Sequence, residues 1–285
     1  MPNSARFEDV QVSPFYLAGP TSDFTGDPAL APLLDLGFAV NHDDAHNVYV
    51  SSPAQDIRLG YLPEGPDHTL WKVTVHTDLF EPPRWMATFD TATPIELVTA
   101  FTTALANSHA EGPDSYLTGT ALRAEEGLRP LTEAGWKHEY LRAETLLTAP
   151  DQLAGLTYSR RFLTPEAELR EDAARWLLWG GRDGYISRWY ASFTTHTPVR
   201  LIAATTARLA DPTPVIRHPR DVPARNRGAA HITPVRPPVP TPLDVRRASA
   251  ARASSTVAKH LVRAPAAPAP AGPGSRLPVR SPYRR

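Results

Sequence analysis

The sequence predicts an α+β protein: two tandem copies of a two-layer unit, each an antiparallel sheet of about four strands plus a C-terminal helix, then a disordered tail. Three observations predict it. Arg84-Trp85-Met86-Ala87-Thr88-Phe89 returns as Arg188-Trp189-Tyr190-Ala191-Ser192-Phe193. At the same offset Thr93, Pro94, Leu97 and Leu105 recur as Thr197, Pro198, Leu201 and Leu209. Beyond this duplication the composition changes abruptly, because 13 of the 31 prolines follow residue 214. A period near a hundred residues is far too long for a solenoid and marks duplicated domains. The expected boundaries are 1–9 for an N-terminal extension, 10–108 and 109–212 for the copies, and 213–285 for the tail.

Each copy reads in the same order. Tyr16-Leu17-Ala18-Gly19 heads the first and Tyr116-Leu117-Thr118-Gly119 the second. A short helix over residues 28–36 is stopped by Gly37, as a C-cap glycine stops one. Extended segments are expected at 48–51, 57–61, 70–76 and 84–89. In the last, Trp85, Ala87 and Phe89 alternate with Arg84, Met86 and Thr88, the period of a half-buried strand. In the closing helix Thr93 is placed to N-cap, Pro94 fits N1, and Glu96 at N3 completes a capping box. Arg200 replaces the acid in the second copy, so the cap is retained without the reciprocal bond. The small Ala between Trp and Phe leaves clearance for that helix to fold back on the sheet. Gly180-Gly181-Arg182-Asp183-Gly184 suits a hairpin turn rather than a phosphate loop, since neither a helix pattern nor a Lys-Ser/Thr pair follows.

Formal net charge is zero only by cancellation. Residues 1–214 carry 16 Lys+Arg against 28 Asp+Glu, and residues 215–285 carry 14 against 2. An acidic body joined to a basic tail points to a polyanion partner, or to a tail that screens its own body. Cysteine is absent, which excludes disulfides and thiolate metal sites. The first residues lack the apolar core of a secretory signal, and no apolar run reaches a membrane span. A cytoplasmic protein with no membrane partner is expected.

The motifs Ser13-Pro14-Phe15-Tyr16-Leu17-Ala18-Gly19, Gly60-Tyr61-Leu62-Pro63, Leu70-Trp71-Lys72 and Pro83-Arg84-Trp85-Met86-Ala87-Thr88-Phe89 resemble the SPDY-domain family of streptomycetes and relatives. Ala174-Arg175-Trp176-Leu177-Leu178-Trp179-Gly180-Gly181 and the run from Trp189 to Pro198 carry the resemblance in the second copy. It covers about residues 10–212 and implies a domain of unknown function in tandem. It supplies no catalytic residue.

No nucleophile elbow, Walker loop, dinucleotide fingerprint or His-Glu-x-x-His occurs, so no catalytic residue, cofactor or metal is assigned. His42-Asp43-Asp44-Ala45-His46 has the spacing of a helical metal pair but falls in a turn between Gly37 and the strand at Val48. Arg84-Trp85 and Arg188-Trp189 are candidate ligand or anion contacts through cation–π stacking, against an arginine packed on a strand face. His196 joins them because it precedes a helix N-terminus. In the tail, Arg246, Arg247, Arg252, Lys259 and Arg263 are candidate nucleic-acid contacts, against a solvated low-complexity segment. The expected function is a non-enzymatic binding or regulatory protein for an unknown protein or small ligand. A DNA-associated protein tethered by its tail, and an enzyme with its site between the copies, are the alternatives.

Overall fold

The Schellman turns at Gly37 and Gly135, which end equivalent helices of the two copies, show how closely local sequence dictates local structure. Gly37 and Gly135 both adopt φ +79°, a region open to glycine. Phe38 N then bonds Leu33 O and Gly37 N bonds Leu34 O, while Trp136 N bonds Leu131 O and Gly135 N bonds Thr132 O. The computed structural model describes residues 9–20, 27–65, 68–118, 123–184, 186–235 and Arg246.

In chain order the elements are β1 (Val10–Ser13), a 3-10 turn (Phe15–Leu17), α1 (Asp27–Leu34), β2 (Ala39–His42), β3 (Val48–Ser51), β4 (Ile57–Tyr61), β5 (Thr69–Val75), β6 (Trp85–Asp90) and α2 (Ile95–Glu111). The second copy contributes α3 (Pro113–Leu117), α4 (Ala124–Glu133), β7 (Lys137–Tyr140), β8 (Glu144–Thr148), β9 (Ala154–Ser159), α5 (Pro165–Leu169), β10 (Trp176–Gly180), β11 (Trp189–Phe193) and α6 (Val199–Ala210). Two further strands follow, β12 (Val215–Arg217) and β13 (His231–Pro234).

Both copies share one antiparallel sheet of ten strands, in the order β2-β3-β4-β5-β6-β11-β10-β9-β8-β7. Each copy supplies five strands where four were expected; the additional ones, β2 and β7, are the outermost. The join is the pairing of β6 with β11, in which Thr88 faces Ser192. Those residues are repeat equivalents, so an approximate twofold axis passes between them, and their hydroxyls bond at 2.7 Å. Helices α1, α2, α6 and α4 pack side by side over one face. Trp85, Ala87, Phe89, Trp189, Ala191 and Phe193 point into that layer and are fully buried. Phe101 of α2 packs edge-on to Trp85 and Phe89 and stacks on Phe193, tying both copies to one core.

The expected half-burial of β6 does not hold: Met86 and Thr88, on the far face, are buried too. β6 is a central strand, paired on both edges by β5 and β11, and the long β9–β10 connection reaches onto the far face of the sheet at β5. Glu171 from this connection bonds Lys72 Nζ at 2.9 Å and Thr69 Oγ1 at 3.1 Å, reaching from the second copy onto the first. The capping box also does not form. Helix α2 begins after Pro94 without a side-chain cap, and the Thr93 hydroxyl instead donates to Asp90 and to Tyr190 O across the seam. Glu96 is engaged instead by Arg217.

The heads of the copies are exchanged. Trp189 Nε1 donates to Tyr16 O at 2.9 Å, and Trp85 Nε1 donates to Tyr116 O at 2.7 Å. Tyr16 Oη donates to Asp151, and Tyr116 Oη donates to Asp56. Burial, then the carboxylate beside each, pushes both phenols above their ordinary value. Each head therefore closes the core of the other copy, which the linear boundaries 10–108 and 109–212 do not convey.

The expected tail boundary at 213 is also too early. The chain divides between Val235 and Arg236, and β12 and β13 flank β1 in a three-stranded sheet. Asn226 locks this extension down. Its Nδ2 donates to Leu17 O and Ser187 O, and its Oδ1 accepts from Arg182 N. Beyond Val235 only Arg246 is described, as a helical, exposed residue. No helix among the described residues is long and apolar enough to cross a membrane.

Candidate functional site

The twofold relation gives the seam two equivalent ends, built from equivalent bonds. At one end Thr194 Oγ1 accepts from Met86 N at 2.9 Å. At the other Asp90 Oδ2 accepts from Tyr190 N at 2.8 Å. The ends differ in what lies over them. The first is closed: Met86 and Thr194 are buried, and Glu168 of α5 accepts from Thr195 N at 2.7 Å and from Thr195 Oγ1 at 2.9 Å. The second opens into a cleft of about 490 Å³ whose lining includes Thr88, Asp90, Glu171, Arg188, Tyr190 and Ser192.

Duplication has thus placed a hydroxyl at the closed end and a carboxyl at the open one. Asp90 Oδ1 also accepts from Ala92 N and Thr93 Oγ1, so the acid is fixed by backbone and hydroxyl donors alone. Burial pushes its carboxyl up to about 6, although the bonds from Thr93, Tyr190 and Ala92 pull the other way. The folded state therefore holds the proton more tightly than the unfolded chain does. That stabilisation is complete below the ordinary carboxylate value and is lost as pH rises through about 6. A buried carboxyl raised to this range at the floor of a cleft is what ligand and catalytic sites use.

The other charges around the cleft are matched internally. Arg188 pairs with Asp183, and its guanidinium lies 4.4 Å from the centre of the Trp179 ring and 5.6 Å from that of Tyr190. Glu171 pairs with Lys72 at 2.9 Å. The loop carrying Asp183 is the expected hairpin between β10 and β11, with Gly181 at φ +90°. A Cβ there would stand 1.9 Å from Ser187 O, so only glycine fits.

The candidate contacts read from the sequence separate accordingly. Arg188 lines the cleft, stacked on Trp179 and Tyr190 rather than on its neighbour Trp189. Trp85 and Trp189 are 0% and 1% exposed, and their indole N–H groups bond backbone carbonyls, so neither ring reaches a ligand. Arg84 is exposed at the closed end. His196 is there also; burial, and then Arg84 and Arg175, hold its imidazole below the usual value, against Glu168. Asp43 in the His-rich turn accepts from Ala45 N, Asn47 N, Asn47 Nδ2 and Tyr49 Oη, so its carboxylate holds the turn. Arg247, Arg252, Lys259 and Arg263 lie outside the described residues.

Sequence reading missed Asp90, although the signal was present. At the repeat offset Asp90 stands opposite Thr194, an acid against a hydroxyl inside an otherwise matched block. No curated protein and no solved structure matches the chain. The family model of SPDY, a domain of unknown function (DUF317), matches residues 51–110 and again residues 148–215. The chain thus carries two tandem segments of the SPDY family.

Proposed function

We propose that the chain is a binding protein that holds a small ligand through a cationic group in the open end of the seam. The observation that carries this reading is Asp90, a carboxyl raised to about 6 and held by neutral donors, in a cleft whose other carboxylates already have cations. The donors gather on Oδ1, while Oδ2 accepts from Tyr190 N alone among the described hydrogen bonds, leaving it capacity for an ammonium group. Pairing with that group would offset the cost of ionising Asp90 within the protein.

Affinity for protonated primary amines should therefore rise about tenfold between pH 5 and pH 7.5, as Asp90 ionises with its value of about 6. Titrating the protein with methylamine, ethanolamine and tyramine, with the matching alcohols as controls, measures this in amide spectra. Shifts should gather at Thr88, Asp90, Tyr190 and Ser192, and Asp90→Asn should flatten the pH dependence. Amine binding that ignores pH, or shifts scattered over the acidic surface, would refute the reading.

A second reading is favoured by the same carboxyl, because a value near 6 suits a general acid–base at neutral pH. In that case Asp90→Asn abolishes a turnover while ligand affinity survives.

A further inference from the structure

A second cavity, separate from the seam cleft, lies at the end of the second copy. It measures about 590 Å³, and its lining includes Tyr158, Arg160, Arg161, Phe162, Arg175 and Val199. At the repeat-equivalent positions the first copy has Pro63, Glu64 and Leu70 in place of Arg160, Arg161 and Arg175. The basic character is therefore acquired by one copy and is not part of the shared architecture.

Two of the three arginines, Arg160 and Arg175, are oriented by neutral acceptors. Arg175 donates from Nε to Thr195 Oγ1 and from Nη1 to Ser159 O and Arg161 O. Arg160 donates from Nη2 to Leu141 O and Glu144 O. Carbonyl and hydroxyl oxygens orient a guanidinium and leave its charge in place. Only Arg161 has a carboxylate, Glu144 at 3.2 Å, and that pair is open to solvent. Helix α6 starts at this cavity with Val199, and its first turn contains no acid, so its free N–H groups add to the positive field.

Phe162 stands beside the arginines with its side chain 90% exposed. A phenyl ring so exposed in a folded loop provides a face for a flat partner. The neighbouring cavity, about 380 Å³, shares Ala124, Tyr158 and Arg160 with this one but is lined by Glu125 and Glu126. Arg129 also lines it and pairs with Glu126 at 2.7 Å, so the two acids are balanced by Arg129 and Arg160 and the excess of positive charge does not continue beyond the three arginines, which favours a compact ligand over a nucleic-acid strand.

We propose that this cavity binds a small phosphate ester carrying a flat ring, with the phosphate on Arg160, Arg161 and Arg175 and the ring on Phe162. Adenosine monophosphate, inorganic phosphate and adenosine are the probes, titrated calorimetrically into the full chain. The monophosphate should bind more tightly than phosphate, and adenosine should bind most weakly. Both Phe162→Ala and Arg161→Glu alter exposed side chains outside the core. Phe162→Ala should weaken the monophosphate roughly tenfold, as loss of one stacking contact does, and leave phosphate unchanged. Arg161→Glu should weaken both by at least about tenfold, as loss of a charge-assisted contact does. Monophosphate affinity unchanged in both variants would overturn the proposal and move the binding to other arginines. Adenosine binding as tightly as its phosphate would overturn it too, as would an oligoadenylate binding more tightly than the monophosphate.

Discussion

Replacing Arg217 with Met lowers the stability of the chain by about 3–5 kcal/mol, the usual cost of breaking a buried ion pair by removing one partner. Arg217 is 3% exposed and grips Glu96 with two parallel bonds of 2.8 and 2.7 Å, a fork-on-carboxylate geometry. It also donates to Gly19 O at 3.2 Å, so one side chain ties β12 to the start of α2 and to the first head. Without it Glu96 is left partly buried and unpaired. For a body of this size the loss corresponds to a fall in Tm of roughly 10 °C. Calorimetry on the single variant checks it, and Glu96→Met with Arg217→Met should recover most of the loss, since an apolar pair needs no partner charge. Truncation gives the same result in coarser form. A chain ending at Val235 should melt like the full chain, whereas one ending at Thr213 loses both neighbours of β1 and should melt far lower. Equal melting of the two truncations would contradict the placement of β12 and β13.

Changing Trp189 to Phe loosens the head of the other copy. The indole N–H of Trp189 is the donor to Tyr16 O, and that of Trp85 is the donor to Tyr116 O. A phenyl ring in either place leaves a buried carbonyl without its partner, at a cost of about 1–3 kcal/mol. Truncation to Ala adds a cavity and costs about 3–5 kcal/mol. The location of the damage is the sharper readout. In Trp189→Phe, amide hydrogen exchange should accelerate at residues 12–18, more than 170 positions away in the chain. In Trp85→Phe it should accelerate at 113–118. Acceleration confined to each tryptophan's own copy would mean that the heads are not exchanged.

Much of the fold was legible because it is written in local chemistry. Gly37 and Gly135 announce the Schellman turns, the Trp-x-Ala-x-Phe strands announce their buried face, and the glycines around Asp183 announce a hairpin. What was not legible depends on pairing between distant segments. Nothing in the period of Trp85–Asp90 says that its free edge meets Trp189–Phe193, which turns two expected sheets into one. Strands β2 and β7 are short and largely exposed, so they carry no apolar alternation. Arg217 sits in a proline- and arginine-rich run whose composition resembles the tail, and only its partner on α2 reveals it as core. Thr93 has the sequence of a cap, but its hydroxyl accepts from no N–H of α2 and is turned to the seam, where it donates to Asp90 and Tyr190 O. For the site, the differences between the copies carry the signal. Identical pairs such as Trp85 and Trp189 are architecture, whereas Asp90 against Thr194, and Arg160 and Arg161 against Pro63 and Glu64, mark where the copies diverge.

On the proposed function, the open end of the seam holds a ligand against Asp90. Direct carbon-13 titration of the Asp90 side-chain carboxyl, with and without a saturating primary amine, tests it most directly. The midpoint should be about 6 in the free protein and clearly lower with amine bound, because a paired cation favours the charged form. An ordinary carboxylate midpoint in the free protein, or one that amine leaves unmoved, would contradict it.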